Sequence, residues 1–175
     1  MTTELKIINS TPDDIETIFK LYDAAIEHQK KVFHKHWQGF ARTLVETEIK
    51  ENRQWKMVIE NEVACIFAIT YNDLSIWKER DVDPAIYIHR IVTNPKYRGK
   101  AFVKDIIVWA KQFCLENHKR FVRMDTWADN PKLVDYYVNC GFKFVRVSEP
   151  TSLEDLPKHY SGNPLALFEI EVIGG

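Results

Sequence analysis

A basic turn, Lys96-Tyr97-Arg98-Gly99-Lys100, separates a strand-like run from a helix-like run. Upstream, Ile86, Ile88, Arg90 and Val92 alternate with Tyr87, His89, Ile91 and Thr93. Apolar or β-branched residues occur in both sets, so both faces of that strand should be partly covered. Asn94-Pro95 stops the strand, because proline has no N–H to donate and restricts the residue before it. A helix beginning near Ala101 then aims unbonded backbone N–H groups and the positive end of its dipole at the turn, which is an anion-binding arrangement. Taken alone, such a turn is more often a solvated loop than a phosphate cradle. His89, on the strand, has an intrinsic pKa suited to taking a proton near neutrality. His34 and His36 beside Trp37 lack a Cys, Asp or Glu at ligand spacing, so no metal is expected there.

Downstream, Asn130-Pro131-Lys132-Leu133-Val134-Asp135-Tyr136-Tyr137-Val138-Asn139-Cys140-Gly141-Phe142 reads N-x6-Y-x3-G-F. With the P-x-Y-R-G-K turn and a helix of suitable length between them, residues 85–145 resemble the GNAT N-acetyltransferase superfamily. Elsewhere the likeness is topological. The resemblance implies an R/Q-x-x-G-x-G/A loop in the register Arg98-Gly99-Lys100-Ala101-Phe102-Val103, with Lys104 adjoining, whose amides hold the pyrophosphate of acetyl-CoA. Ala101 and Val103 stand where the motif has glycine and glycine or alanine. It also implies that backbone groups of Ile91, Val92 and Thr93 pair with the pantetheine arm. An N–H near Ile91 would polarise the thioester carbonyl. Tyr137 would protonate the departing thiolate, while Tyr136, at the family's usual apolar position, would pack. Asn130 would contact the cofactor arm as well as cap its helix. His89 and Asp125 fall at positions used as general base by different family members. No metal is required.

Three readings stay open on these residues. One is an N-acetyltransferase that transfers an acyl group from acetyl-CoA to an amine in a ternary complex. Another is a non-catalytic GNAT-like module that binds CoA or another ligand, with a degenerate pyrophosphate loop. The third is an interaction domain whose basic turn is ordinary surface. The acceptor, a small amine or a peptide amine, should lie against the segment 30–40 and the loop 149–163. Phe33, Trp37 and Tyr160 would form an aromatic wall, and no acidic pair there announces a polyamine.

The elements that must position these residues follow from patterning. Residues 4–9 read as a strand. Thr11-Pro12-Asp13-Asp14 starts a helix whose stripe is Ile15, Ile18, Phe19, Tyr22, Ala25 and Ile26. A second helix is expected over 39–52 and two strands over 55–60 and 63–71, with a polar loop over 72–84. The central strand follows, then a helix over 101–117, a strand over 120–127, a helix ending at Gly141, and strands over 142–148 and 165–172. The order β-α-α-β-β-β-α-β-α-β-β predicts an α/β (α+β) fold with a mixed central sheet flanked by helices, in one domain spanning 1–175. Of the 175 residues, 45% are hydrophobic and 28% charged, and the net charge is −1. Those values describe a globular protein and argue against charge-driven binding to nucleic acid or membrane. Cys65, Cys114 and Cys140 form no C-x-x-C pair and should be free thiols in a reducing, cytoplasmic setting. A homodimer is compatible with all of this.

Overall fold

The computed structural model describes residues 4–150 and 163–173. Its elements, in chain order, are β1 (Leu5–Asn9), α1 (Ile15–Val32), α2 (Arg42–Lys50), β2 (Gln54–Ile59), β3 (Glu62–Thr70), α3 (Leu74–Trp77), β4 (Ala85–Thr93), α4 (Phe102–Glu116), β5 (Phe121–Trp127), α5 (Pro131–Cys140), β6 (Lys143–Ser148) and β7 (Leu165–Glu171). The seven strands hydrogen-bond in the order β1-β2-β3-β4-β5-β7-β6. The sheet is mixed, as the element order predicts. β4 and β5 run parallel, while β1–β2, β2–β3, β5–β7 and β6–β7 run antiparallel. The chain divides into two compact units, residues 1–69 with 90–102 and residues 70–89 with 103–175.

The first unit is built on the β1-β2-β3 meander and helices α1 and α2. Asp14 accepts the Thr11 N–H at 2.7 Å, fixing the entry to α1 as the sequence suggested. Ile15, Ile18, Leu21 and Tyr22 then recur at helical spacing and join Val45 and Ile49 of α2, Ile66 of β3 and Val92 of β4 in one buried cluster. Helix α2 begins at Arg42 and not near Gly39. Gly39 has a φ of +104°, incompatible with a helix interior.

The second unit holds the antiparallel β5-β7-β6 ribbon, the first part of β4, and α3, α4 and α5. Ile106, Ala110 and Cys114 give α4 a wholly buried stripe. The expected polar loop over 72–84 contains α3 and a 3-10 turn over Lys78–Val82. Helix α3 has only four residues, too few for periodicity to reveal it. Asp73 closes it, its carbonyl accepting the Trp77 N–H at 2.8 Å. Trp77 is consequently fully buried in a stretch whose composition reads as solvated.

Candidate active site

In the second unit, the β4–β5 ladder consists of Ala85↔Phe121, Ile86↔Val122 and Tyr87↔Arg123. His89 and Asp125 lie two residues beyond that last pair, each on its own strand. By the two-residue period of a strand, they share the face of Tyr87 and Arg123. Asp73, immediately before α3, completes a cluster: one donor atom from each of Asp73, His89 and Asp125 lies within 4.8 Å of the other two. His89 Nε2 is 3.2 Å from Asp73 Oδ2. Burial pushes the Asp125 carboxyl up to about 7; the His89 side chain opposes the shift and the Asp73 carboxylate adds to it. The sequence reading named His89 and Asp125 separately, and the fold brings them together. It missed Asp73, which no motif or spacing marks within 72–84.

A buried cation holds this corner of the unit in place. Arg123 is fully buried. It donates to Asp83 Oδ2 at 2.6 Å, Glu169 Oε1 at 3.1 Å, the Arg80 carbonyl at 2.9 Å and the Tyr87 hydroxyl at 3.1 Å. Its guanidinium lies over the rings of Trp77 at 4.5 Å and Phe121 at 4.6 Å. Tyr87 in turn donates its hydroxyl proton to Asp81 Oδ1 at 2.7 Å. The same oxygen accepts the Asp73 N–H at 2.7 Å. A continuous chain of hydrogen bonds therefore runs from Arg123 through Tyr87 and Asp81 to the backbone of Asp73.

The basic turn belongs to the first unit up to Phe102. Asn94 anchors it: its side chain accepts the Lys96 N–H at 3.1 Å and donates to the Val63 carbonyl at 2.9 Å. Tyr97 donates to Glu62 at 2.6 Å. The backbone amides of Arg98 and Lys100 close the turn itself, on the carbonyls of Pro95 and Tyr97. Of the expected cradle amides, these two are therefore already engaged, whereas those of Phe102, Val103 and Lys104 open α4 and have no intrahelical acceptor. The side chains of Phe102 and Val103 are buried, and Arg98, Gly99, Lys100, Ala101 and Lys104 are exposed. Ala101 has a φ of +54° and Gly99 one of +87°. Ala101, where the glycine motif places glycine, thus adopts the left-handed backbone that glycine favours.

On β4, Arg90 also takes a left-handed φ, +52°, inside a strand. Its guanidinium pairs with buried Glu48 and lies 5.1 Å from the Phe40 ring and 5.8 Å from the Tyr22 ring. Gln54 Nε2 donates to Glu48 and to the Tyr22 hydroxyl, both at 3.1 Å. This lock fixes the backbone that leads into Ile91, Val92 and Thr93. Val92 is buried, and Ile91 and Thr93 are half-buried.

A family model described as "Acetyltransferase (GNAT) family" matches residues 22–142, more than half of the chain. The chain belongs to the GNAT acetyltransferase family. A curated relative, the uncharacterized N-acetyltransferase YesJ of Bacillus subtilis (strain 168), is 25% identical over 73 residues, 42% of this chain; the chain spans 41% of the length of YesJ. Among solved structures, a GNAT-family acetyltransferase from Listeria monocytogenes superposes with a TM-score of 0.77 at 22% identity, covering 98% of both chains. YncA, a putative acetyltransferase from Salmonella typhimurium solved with its cofactor acetyl-CoA, superposes with a TM-score of 0.65 at 10% identity, covering 98% of this chain and 95% of its own. At these identities the likeness to the solved structures is one of fold.

The remaining GNAT motif residues fall as follows. Asn130 caps α5, accepting the Leu133 N–H at 3.3 Å. Tyr137 is half-buried, its ring 5.7 Å from that of Phe168 and 6.3 Å from that of Phe142. Tyr136 was expected to pack, but it is 39% exposed and meets Tyr137 edge-on. In the first unit Trp37 packs on Tyr22 and Phe40, and Phe33 lies 4.1 Å from the His34 ring. Tyr160 lies outside the described residues.

Proposed function

We propose that this GNAT chain is an acetyl-CoA-dependent N-acetyltransferase that acts on an amine by direct transfer. The observation that carries the proposal is the placement of His89 and Asp125 on one face, immediately past the last β4–β5 pair, with Asp73 beside them. Amine acetylation needs a group that takes the ammonium proton, and this is the one place among the described residues where histidine and carboxylates converge. The amine loses its proton to the His89–Asp125 pair, and its lone pair attacks the thioester carbonyl carbon. The backbone N–H near Ile91, whose strand geometry the Arg90–Glu48 lock fixes, stabilises the developing oxyanion. The C–S bond breaks, Tyr137 gives its phenolic proton to the thiolate, and the second proton, released by the nitrogen as the amide forms, restores the phenol through solvent. Gly99, Ala101 and the opening amides of α4 at Phe102, Val103 and Lys104 receive the pyrophosphate, with the side chains of Arg98 and Lys100 supplying charge. Asn130 adds a contact to the pantetheine arm, and Ile91, Val92 and Thr93 supply its backbone partners. Phe33 and Trp37 remain proposed acceptor residues.

Supporting the same reading, the three cysteines are free thiols, as a reducing cytoplasmic setting would leave them. No helix among the described residues is long and apolar enough to cross a membrane.

The second reading, a binding module without catalysis, rests on Ala101 and Val103. Ala101 weakens it, because its left-handed φ preserves the glycine-type backbone. Acetyl-CoA should raise the melting midpoint, and a panel of amines should release CoA thiol from it. A midpoint unmoved by millimolar acetyl-CoA removes the cofactor. A raised midpoint with no thiol release from any amine leaves the binding module.

A further inference from the structure

We infer that Asp73, His89 and Asp125 form a binding site for one divalent transition-metal ion, with Zn2+ the best match. The donor set is one imidazole and two carboxylates. Imidazole selects Zn2+ and its neighbours over Mg2+ and Ca2+, which take all-oxygen shells. The Asp73–His89 spacing agrees. Ligand atoms about 2.0–2.2 Å from a tetrahedral Zn2+ stand about 3.4 Å apart. His89 Nε2 and Asp73 Oδ2 are 3.2 Å apart; all three donors fall within 4.8 Å, so a small side-chain shift draws the third carboxylate onto the ion.

One feature beyond the donor set points at a ligand. Asp73 Oδ2 is buried and has no hydrogen-bond partner, on a side chain only 9% exposed. At 3.2 Å from Nε2 it therefore stands like a second ligand of one ion, not like an acceptor aligned on an N–H. The site is braced from behind, since the Asp73 N–H is tied through Asp81 and Tyr87 to Arg123. It is reachable, because the His89 side chain is 21% exposed.

Metal binding does not depend on the proposed reaction, but it has a consequence for it. The lone pairs that ligate the ion are those that would take the substrate proton, so the loaded protein should be the inhibited one. The test is isothermal titration of the EDTA-treated chain with ZnCl2. One ion per chain should bind. Asp73→Asn and His89→Ala should each weaken binding at least tenfold, with near-ultraviolet circular dichroism confirming that both variants are folded. The His34→Ala/His36→Ala double variant should bind like wild type. In the acetylation assay, activity should fall in step with occupancy and return on chelation. Absence of stoichiometric binding would overturn the inference, and so would binding abolished by the His34/His36 substitutions or retained by His89→Ala. Stoichiometric binding that His89→Ala abolishes, with acetylation untouched at saturating Zn2+, would uphold the metal site and move the general base away from this cluster. If no amine is acetylated at all, the calorimetry still decides the metal site by itself.

Discussion

Replacing Ala101 by glycine should stabilise the protein, although it introduces the residue that normally weakens helices. Ala101 precedes α4, which begins at Phe102, and its φ is +54°. An L-residue in that region carries a cost of about 1–2 kcal/mol that glycine does not. Against this, glycine loses more backbone entropy on folding, by roughly 0.5–1 kcal/mol. The net expectation for Ala101→Gly is a gain of about 0.5–1 kcal/mol. Val103 contrasts with it: it lies inside the helix with its side chain only 7% exposed. Val103→Gly removes a buried side chain and adds the helix penalty, together roughly 3 kcal/mol of destabilisation. Urea unfolding of the two single variants reads both numbers. Acetyl-CoA titration well below the melting range reads the cradle, where Ala101→Gly should bind at least as tightly as wild type. A loss of about 1 kcal/mol on Ala101→Gly would mean that Ala101 is helical, and would refute the left-handed turn and the register of the loop with it.

Three further outcomes are expected. Tyr137→Phe should lower turnover by roughly a hundredfold to ten-thousandfold with acetyl-CoA affinity unchanged; Tyr136→Phe, on the exposed side of α5, should leave both alone, and the reverse pattern in steady-state kinetics would move the general acid by one position. Glu48→Gln removes the counter-charge of Arg90, whose side chain is only 9% exposed, and should cost about 3 kcal/mol in urea unfolding, so a loss below 1 kcal/mol would mean the lock on β4 is held by the rings of Tyr22 and Phe40 instead. Asp125 gives the pH dependence: its carboxyl lies near 7 in the folded chain against an ordinary 3.8, so between those values the folded state holds a proton that the unfolded state has lost. Stability should therefore fall as pH rises from about 4 to about 7, by ~4 kcal/mol at most, and level off above. Asp125→Asn should flatten that fall in metal-free buffer, and equal slopes for variant and wild type would remove Asp125 as its source.

The sequence carried the scaffold because its elements announce themselves locally. The α1 stripe and the Thr11–Asp14 start, the Pro95 stop and the Asn130 cap each follow from neighbouring residues, and each is present. The site was only half legible for the converse reason. His89 and Asp125 are 36 residues apart in the sequence, and only the parallel register Tyr87↔Arg123 sets them side by side. A parallel register is not written in either strand alone. Asp73 was less visible still, since α3 is a single turn held by tertiary contacts. What fixes Asp73 is Asp81, what fixes Asp81 is Tyr87, and what fixes Tyr87 is a buried arginine two strand positions from Asp125. In composition Arg123 looks like any strand cation. Its full burial between Trp77 and Phe121, with Asp83 and Glu169 as counter-charges, makes it the residue through which the β4–β5 register and the position of Asp73 are coupled. A change at Arg123 should therefore act on the cluster as a whole, through residues that themselves touch no substrate.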